Sequence, residues 1–246
     1  MMGFLRLVAA ERIKLFKTFI WILIPLSSLL SLALGMLISF DSPDASAQYA
    51  LLIASMASFH AMLFLPILTG ILSAFVCRYE HVGGGWKQLL TLPVSRIGLY
   101  FAKFSVVAVL LAITQLLFLG AVIIAATYQG IDGPLPWAML LKGVGSGWLA
   151  CLPLAALQLL VSVSWSSFAA PLVINVMLTL PNMLIVNSER FAPFYPWAQP
   201  MLAMLSFEGD NFGAFALPLE NLLITITSSF VLFFAIGLLY FTRKEV

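Results

Sequence analysis

Few side chains in this sequence could do covalent chemistry, and their spacing argues against most kinds of it. His60 sits in a long apolar run with no carboxylate at i±3 or i±4, so it reads as a hydrogen-bonded packing residue before a ligand or proton relay. Ser146 lies between Gly145 and Gly147, where an intramembrane nucleophile could stand. Gly143 and Gly147 also form a small-x-x-x-small pair, the pattern of closely packed helices. Cys77 and Cys151 both fall in apolar runs and read as small core residues. There is no Cys-x-x-Cys, no His-Glu-x-x-His and no Gly-x-x-x-x-Gly-Lys-Ser/Thr, which argues against a metal centre, a metalloprotease and an internal ATPase. No acidic pair lies within the apolar runs, and a proton- or sodium-driven carrier would need one. Any energy source is therefore expected from another chain.

The elements that must position these residues are set by composition. Of 246 residues, 62% are apolar and only 9% are charged, and the mean hydropathy is +1.07. Soluble domains are about 45–50% apolar and about 25% charged. An ordinary cytosolic enzyme, a disulfide scaffold and a disordered tail are excluded, and the long unbroken runs exclude a β-barrel. The fold class is all-α, a polytopic membrane protein with six transmembrane helices. The passes are expected at 18–40, 47–77, 99–127, 138–161, 167–187 and 219–242. Residues 45–77 carry no formal charge and would make a helix of about 50 Å, which overruns the bilayer. The uncharged run 143–188 would reach about 69 Å and must be two passes, with a hairpin near 162–167. Residues 1–17 do not read as a secretory signal, because the apolar run after them is too long. Pro25, Pro66, Pro153, Pro171 and Pro181 lie inside passes and predict kinks.

Ten of the twelve basic residues fall on one side: Arg6, Arg12, Lys14, Lys17, Arg78, Lys87, Arg96, Lys103, Arg243 and Lys244. The positive-inside rule puts both termini in the cytoplasm. The other face carries Asp41, Asp44, Asp132, Glu189, Glu208, Asp210 and Glu220 against Lys142 and Arg190.

Three segments are longer than connection requires. Residues 1–17 alternate Phe4, Leu7, Val8, Leu15 and Phe16 with basic residues, as an interfacial helix on the inner leaflet does. After the second pass, glycines at 83–85 permit a sharp turn, Trp86, Leu89 and Leu90 share i, i+3, i+4 spacing, and Pro93 stops the helix. Ser95 then caps the third pass. A short amphipathic helix of this kind suits a partner's groove, and a loop packed back on the bilayer fits equally well. Residues 187–219 hold Pro193, Pro196, Pro200 and Pro218 among aromatic residues, too apolar for a free loop and too broken to span. Re-entrant or interfacial helices fit, with aromatic anchoring or cargo contact through Phe194, Tyr195, Trp197 and Phe212.

The string Gly84-Gly85-Trp86-Lys87-Gln88-Leu89-Leu90-Thr91-Leu92-Pro93-Val94-Ser95-Arg96, with Glu80 before it and Tyr100-Phe101-Ala102-Lys103 after it, resembles the type-2 ABC exporter (ABC-2) permeases. So does the start, Glu11-Arg12-Ile13-Lys14. Within that group the sequence is most similar to lantibiotic-immunity and bacitracin-resistance transporter permeases. The resemblance implies one ABC-2 transmembrane domain over 1–246, with an elbow helix at 1–17 carrying Glu11, Arg12, Lys14 and Lys17. It implies a coupling loop at 78–98 whose Glu80, Gly84, Gly85, Trp86, Lys87, Leu89, Leu90, Pro93 and Arg96 couple to an ATPase. An outer re-entrant segment at 188–218 is implied as well. The chain itself would not be an enzyme and would bind no cofactor; ATP and magnesium would sit on the partner nucleotide-binding subunit, expected in two copies. A second permease, identical or sister chain, membrane lipid and an amphipathic cargo complete the expected partners, with no nucleic acid, in a bacterial plasma membrane.

The expected activity is export of an amphipathic cargo, such as an antimicrobial peptide, in self-immunity or resistance. An ABC-2 permease moving lipid, a small drug or an ion is the nearest alternative. From other classes, an intramembrane enzyme using Ser146 or His60 would act without a partner, and an ion-coupled carrier would ignore ATP.

Overall fold

A computed structural model describes residues 3–16, 18–81, 85–91, 93–165, 167–206 and 218–244. Lys17, Gly84 and Phe212 lie outside the described residues, as does the side chain of Leu90. Among the described residues every regular element is helical. Helix α1 (Phe4–Phe16) precedes α2 (Ile20–Leu37), followed by α3 (Ala45–Phe59) and α4 (Leu65–Arg78), which a π-helical turn at His60–Phe64 joins into one rod. A 3-10 turn at Tyr79–His81 leads to α5 (Gly85–Leu90). The long α6 (Arg96–Tyr128) and α7 (Trp137–Ser164) come next, then α8 (Ala169–Thr179) and α9 (Asn182–Ile185). A second 3-10 turn (Ala192–Phe194), α10 (Gln199–Leu205) and α11 (Leu219–Arg243) complete the chain.

Local chemistry sets several ends. The Asp44 carboxylate accepts from the Ser46 and Ala47 amides and starts α3, and the Ser95 hydroxyl accepts from the Gly98 amide and starts α6. Among the described residues, five runs are long and apolar enough to cross a membrane: Ile20–Leu37, Ala45–His81, Arg96–Tyr128, Trp137–Ser164 and Leu219–Arg243. The segment expected as an unbroken fifth pass, 167–187, is shorter. Its apolar helix, Ala169–Ile185, breaks before Pro181, which lacks the N–H a continuing helix would use. At 1.5 Å per residue its 17 residues would reach only about 26 Å even if straight.

The broken segment is riveted to the second pass by two asparagines. Pro66 has no amide to fill the Met62 carbonyl one turn earlier, and Asn182 Nδ2 donates to that carbonyl at 2.9 Å. Asn175 Nδ2 donates to the Pro66 carbonyl at 2.9 Å, while its Oδ1 accepts from Trp197 Nε1 at 2.9 Å. Asn175 can come this close only because residue 70 is glycine; a Cβ there would collide with the amide. Each polar rivet replaces water that the bilayer cannot provide.

Helix α7 is the most enclosed span and packs against α4, α6, α10 and α11. Every residue of α10 is buried. Met204 of α10 lies over Gly143 and Gly147, and Ser146 Oγ donates to the Ala203 carbonyl at 2.7 Å. Ser146 is thus a hydrogen-bonding contact between α7 and α10. Cys77 and Cys151 are free and buried. His60 packs by stacking on Phe118, ring centroids 4.2 Å apart. Gln115 lies beside the ring, and neither ring nitrogen makes a hydrogen bond of good geometry among the described residues. Large apolar side chains on α2 and α11, among them Ile22, Leu29, Leu37, Val231, Leu232 and Leu239, face outward, as a lipid-exposed surface would.

Candidate functional site

Four charged side chains from three distant stretches meet at the basic end of the bundle. Lys103 enters α6 two turns after its start, and its side chain is 0% exposed. Its ammonium has three protons and finds three acceptors: Val76 O at 2.7 Å, Glu11 Oε2 at 2.9 Å and Glu80 Oε1 at 2.9 Å. Lys14 completes the set, with Nζ 2.8 Å from Glu11 Oε1 and 2.5 Å from Glu80 Oε1. Two lysines and two glutamates make the cluster neutral as a unit. Such a unit is tolerated in a low-dielectric setting because each charge is paired and hydrogen-bonded. Glu80 Oε2 is buried and is the one oxygen of the cluster without a partner among the described residues.

The cluster ties α1, the end of the second pass and α6 to the base of the short helix α5. Gly85 makes the return possible: a Cβ there would lie 2.7 Å from Tyr79 O and 2.9 Å from Glu80 Cα. Trp86 follows, and its position corrects an expectation. It does not stand out from the bundle as a partner-facing anchor. It is 6% exposed, edge-on to Phe241 at 5.6 Å, with the Lys244 ammonium 5.0 Å and the Lys103 ammonium 5.7 Å from its ring centroid. Leu89 also packs inward, partly buried against the core. A six-residue helix with an apolar face gains more by covering its own bundle than by leaving Trp86 in water. Its exposed residues are Lys87 and Gln88, and Thr91 beyond it, with Pro93 exposed in the following turn.

Other expected site residues distribute as follows. Glu80 is buried in the ion cluster and does not present its carboxylate outward. Lys14 pairs with carboxylates and does not reach for lipid headgroups; on the same helix Arg12 is exposed and Glu11 is buried. Arg96 Nη1 donates to the Thr242 and Lys244 carbonyls at 2.8 and 3.0 Å, closing the end of α11. Lys244 Nζ donates to the Val163 carbonyl at 2.6 Å, and burial pulls its ammonium below the ordinary lysine value. At the acidic end Phe194 is exposed at 72%. Tyr195 is half-buried and donates its hydroxyl to the Leu178 carbonyl, with burial raising the phenol's pKa. Trp197 is buried, its indole Nε1–H donating to Asn175 Oδ1, so of the two readings given for it, anchor or cargo contact, packing within the bundle is what the geometry shows. A cavity of about 400 Å³ opens nearby, lined by Ala138, Met139, Lys142, Gly143, Ala203, Met204 and Ser206.

Sequence reasoning counted Lys103 and Lys244 as inner-side charges, with Lys103 also in the family-like string, and passed over His81, Asn175 and Asn182. One signal was available: a lysine seven residues into a helix is too deep to be a boundary anchor and asks for a partner. Asn175 and Asn182, seven residues apart in an apolar segment, share one helix face in the same way.

Among the described residues no group of His, Cys, Asp or Glu is arranged to hold a metal ion. Comparison with curated proteins finds no match. A family model described as ABC-2 family transporter protein matches residues 7–182, a stretch that runs from α1 through the Glu11–Lys14–Glu80–Lys103 cluster and α5 to the second asparagine rivet. This multi-pass chain therefore belongs to the ABC-2 transporter family, whose permeases form the membrane part of an ABC transporter and work with an ATPase subunit.

Proposed function

We propose that this chain is the permease of an ABC exporter in a bacterial plasma membrane, with both termini and residues 78–98 cytoplasmic. It pairs with a second permease, identical or a sister chain, over two ATPase subunits that carry ATP and magnesium. The supporting observation is the neutral four-residue cluster, which links the base of α5 to α1 and α6. A push on α5 reaches Glu80 through the close approach of Gly85 to Tyr79 and Glu80, and from Glu80 it reaches Lys14 and Lys103 through their ion pairs. The exposed Lys87, Gln88 and Thr91 are the residues offered to the ATPase, while Trp86 holds the loop from within. The cargo is amphipathic, such as an antimicrobial peptide expelled from the membrane, and the carboxylates at the far end favour a cationic one by steering.

The test begins with coexpression of the permease and a nucleotide-binding subunit. The pair should copurify, and ATP hydrolysis by the pair in liposomes should rise with a cationic amphipathic peptide such as nisin. An impermeant thiol reagent should label a cysteine at position 88 only after the cells are opened. Labelling from outside intact cells would overturn the topology. Stimulation by lipid or drug in place of peptide would move the cargo to another class. Transport driven by an ion gradient without ATP would remove the ABC reading.

A further inference from the structure

Trp86 is held at the basic end by a set of contacts separate from the ion cluster. Its Nε1–H donates to His81 Nδ1 at 3.3 Å, and His81 Nε2 lies 2.7 Å from the Ser162 carbonyl oxygen. An indole nitrogen only donates and a backbone carbonyl only accepts. The two neighbours therefore dictate the ring: Nδ1 must carry a lone pair and Nε2 the proton. Of the three protonation forms of an imidazole, only the neutral Nε2–H tautomer satisfies both sides. Ser162 lies in the last turn of α7, where carbonyls have no helical amide to fill them. Lys244 fills the next one, Val163 O, while its ammonium lies over the Trp86 ring.

We propose that His81 is a positioning residue for the coupling helix: as the neutral Nε2–H tautomer it pins Trp86, and with it α5, to the C-terminal carbonyls of α7. This deepens the ABC-permease reading and rests on it. The ion cluster carries a movement of α5 to α1 and α6. The His81 pin carries it to α7, the span that touches α4, α6, α10 and α11.

The pin has a chemical signature that plain packing lacks. A second proton on Nδ1 converts the acceptor into a donor aimed at another donor, and the bond to Trp86 is lost. The charged groups facing the ring are Lys244 beyond α11, Lys103 of α6 and Glu80 of its own turn; Ser162 of α7 contributes only its carbonyl. A glutamine at position 81 can accept from Trp86 through its carbonyl and donate to Ser162 through its amide, yet it does not titrate.

The experiment uses full-length permease in nanodiscs, alone and with its ATPase partner. Incorporated fluorotryptophan reports on Trp86 by 19F resonance, assigned by its loss in Trp86→Phe. In the wild type the Trp86 resonance should shift in one transition as the pH is lowered from 8 to 4. His81→Gln should keep the pH 8 position throughout, and His81→Leu should be displaced at every pH. The complex should lose about fivefold of its permease-dependent ATP hydrolysis across the same transition, the equivalent of about one hydrogen bond. His81→Gln should abolish that loss, with the isolated ATPase as the reference for its own pH dependence. A wild-type Trp86 resonance unchanged from pH 8 to pH 4 overturns the pin, whether or not the variants fold. So does a His81→Gln variant that titrates as the wild type does. If the resonance behaves as expected but no permease, wild type included, alters ATP hydrolysis, the pin stands and the coupling reading fails instead.

Discussion

Lys103→Met is the most telling single perturbation of the cluster. Methionine keeps the unbranched shape but removes all three donors from a side chain with no exposed surface. The Val76 carbonyl loses its partner, Glu11 Oε2 and Glu80 Oε1 lose one donor each, and the cluster goes from neutral to a net charge of −1. Lys14 still reaches both carboxylates, at 2.8 and 2.5 Å, so the deficit is one charge and not two. Removing one partner of a buried ion pair costs about 3–5 kcal/mol, because the other charge is left uncompensated. For a chain of this length each kcal/mol corresponds to about 2–4 °C in melting temperature, so the variant should melt about 6–20 °C lower. The assay is thermal unfolding of purified permease in detergent, followed by the remaining monodisperse peak. The double variant Lys103→Met with Glu11→Gln restores neutrality, leaving Lys14 paired with Glu80, and should recover at least about half of the loss. If Lys103→Met melts within about 1 °C of the wild type, or if the double variant is worse than the single one, the account of a neutral, mutually dependent cluster is refuted.

Three further outcomes are expected. Lys87→Glu with Gln88→Glu should leave the melting temperature unchanged while lowering capture of the ATPase in a pull-down, since both residues are exposed; Trp86→Ala should instead lower the melting temperature by emptying a buried site, a loss of about 3–5 kcal/mol. Asn182→Ala strips a hydrogen bond from each of the Met62 and Trp197 carbonyls and should cost about 1–3 kcal/mol, read as a lower melting temperature; an unchanged value would mean that other donors fill those carbonyls. Gly70→Ala should destabilise by about 1–3 kcal/mol through collision with Asn175, whereas Gly120→Ala, with open space around its site, should be neutral or slightly stabilising in the same measurement.

Much of the architecture was legible because hydropathy, charge and turn chemistry are properties of the chain taken in order. Uninterrupted apolar runs specify helices, since only a helix satisfies every backbone group inside a bilayer. Ser95 marks the start of α6 by capping its backbone, as its place after Pro93 implied; the Asp44 cap of α3 and the full break at Pro181, expected only as a kink, came from the structure. The Trp86 string and the start around Glu11 pointed to the ABC-2 family for a related reason: the residues that carry the resemblance lie close together in the sequence. The break in the fifth pass was not legible, because apolar content does not report where a helix is interrupted and held by asparagines.

The sequence by itself determined that this is a helical membrane protein with a basic and an acidic end, and roughly where its long apolar helices lie. Tertiary structure alone decided what those helices bring together. Lys103 meets Glu11 across 92 residues and Glu80 across a helical turn and a loop. Asn175 finds a carbonyl 109 residues away, and His81 one that is 81 residues away. Helical periodicity specifies which residues share a face, but not which neighbour that face will meet. The inward turn of Trp86 shows the consequence. The same apolar stripe on a six-residue helix would suit a groove on another protein or the flank of its own bundle. The choice falls to whichever surface removes the indole from water while giving its N–H an acceptor, and here α11 and His81 do both.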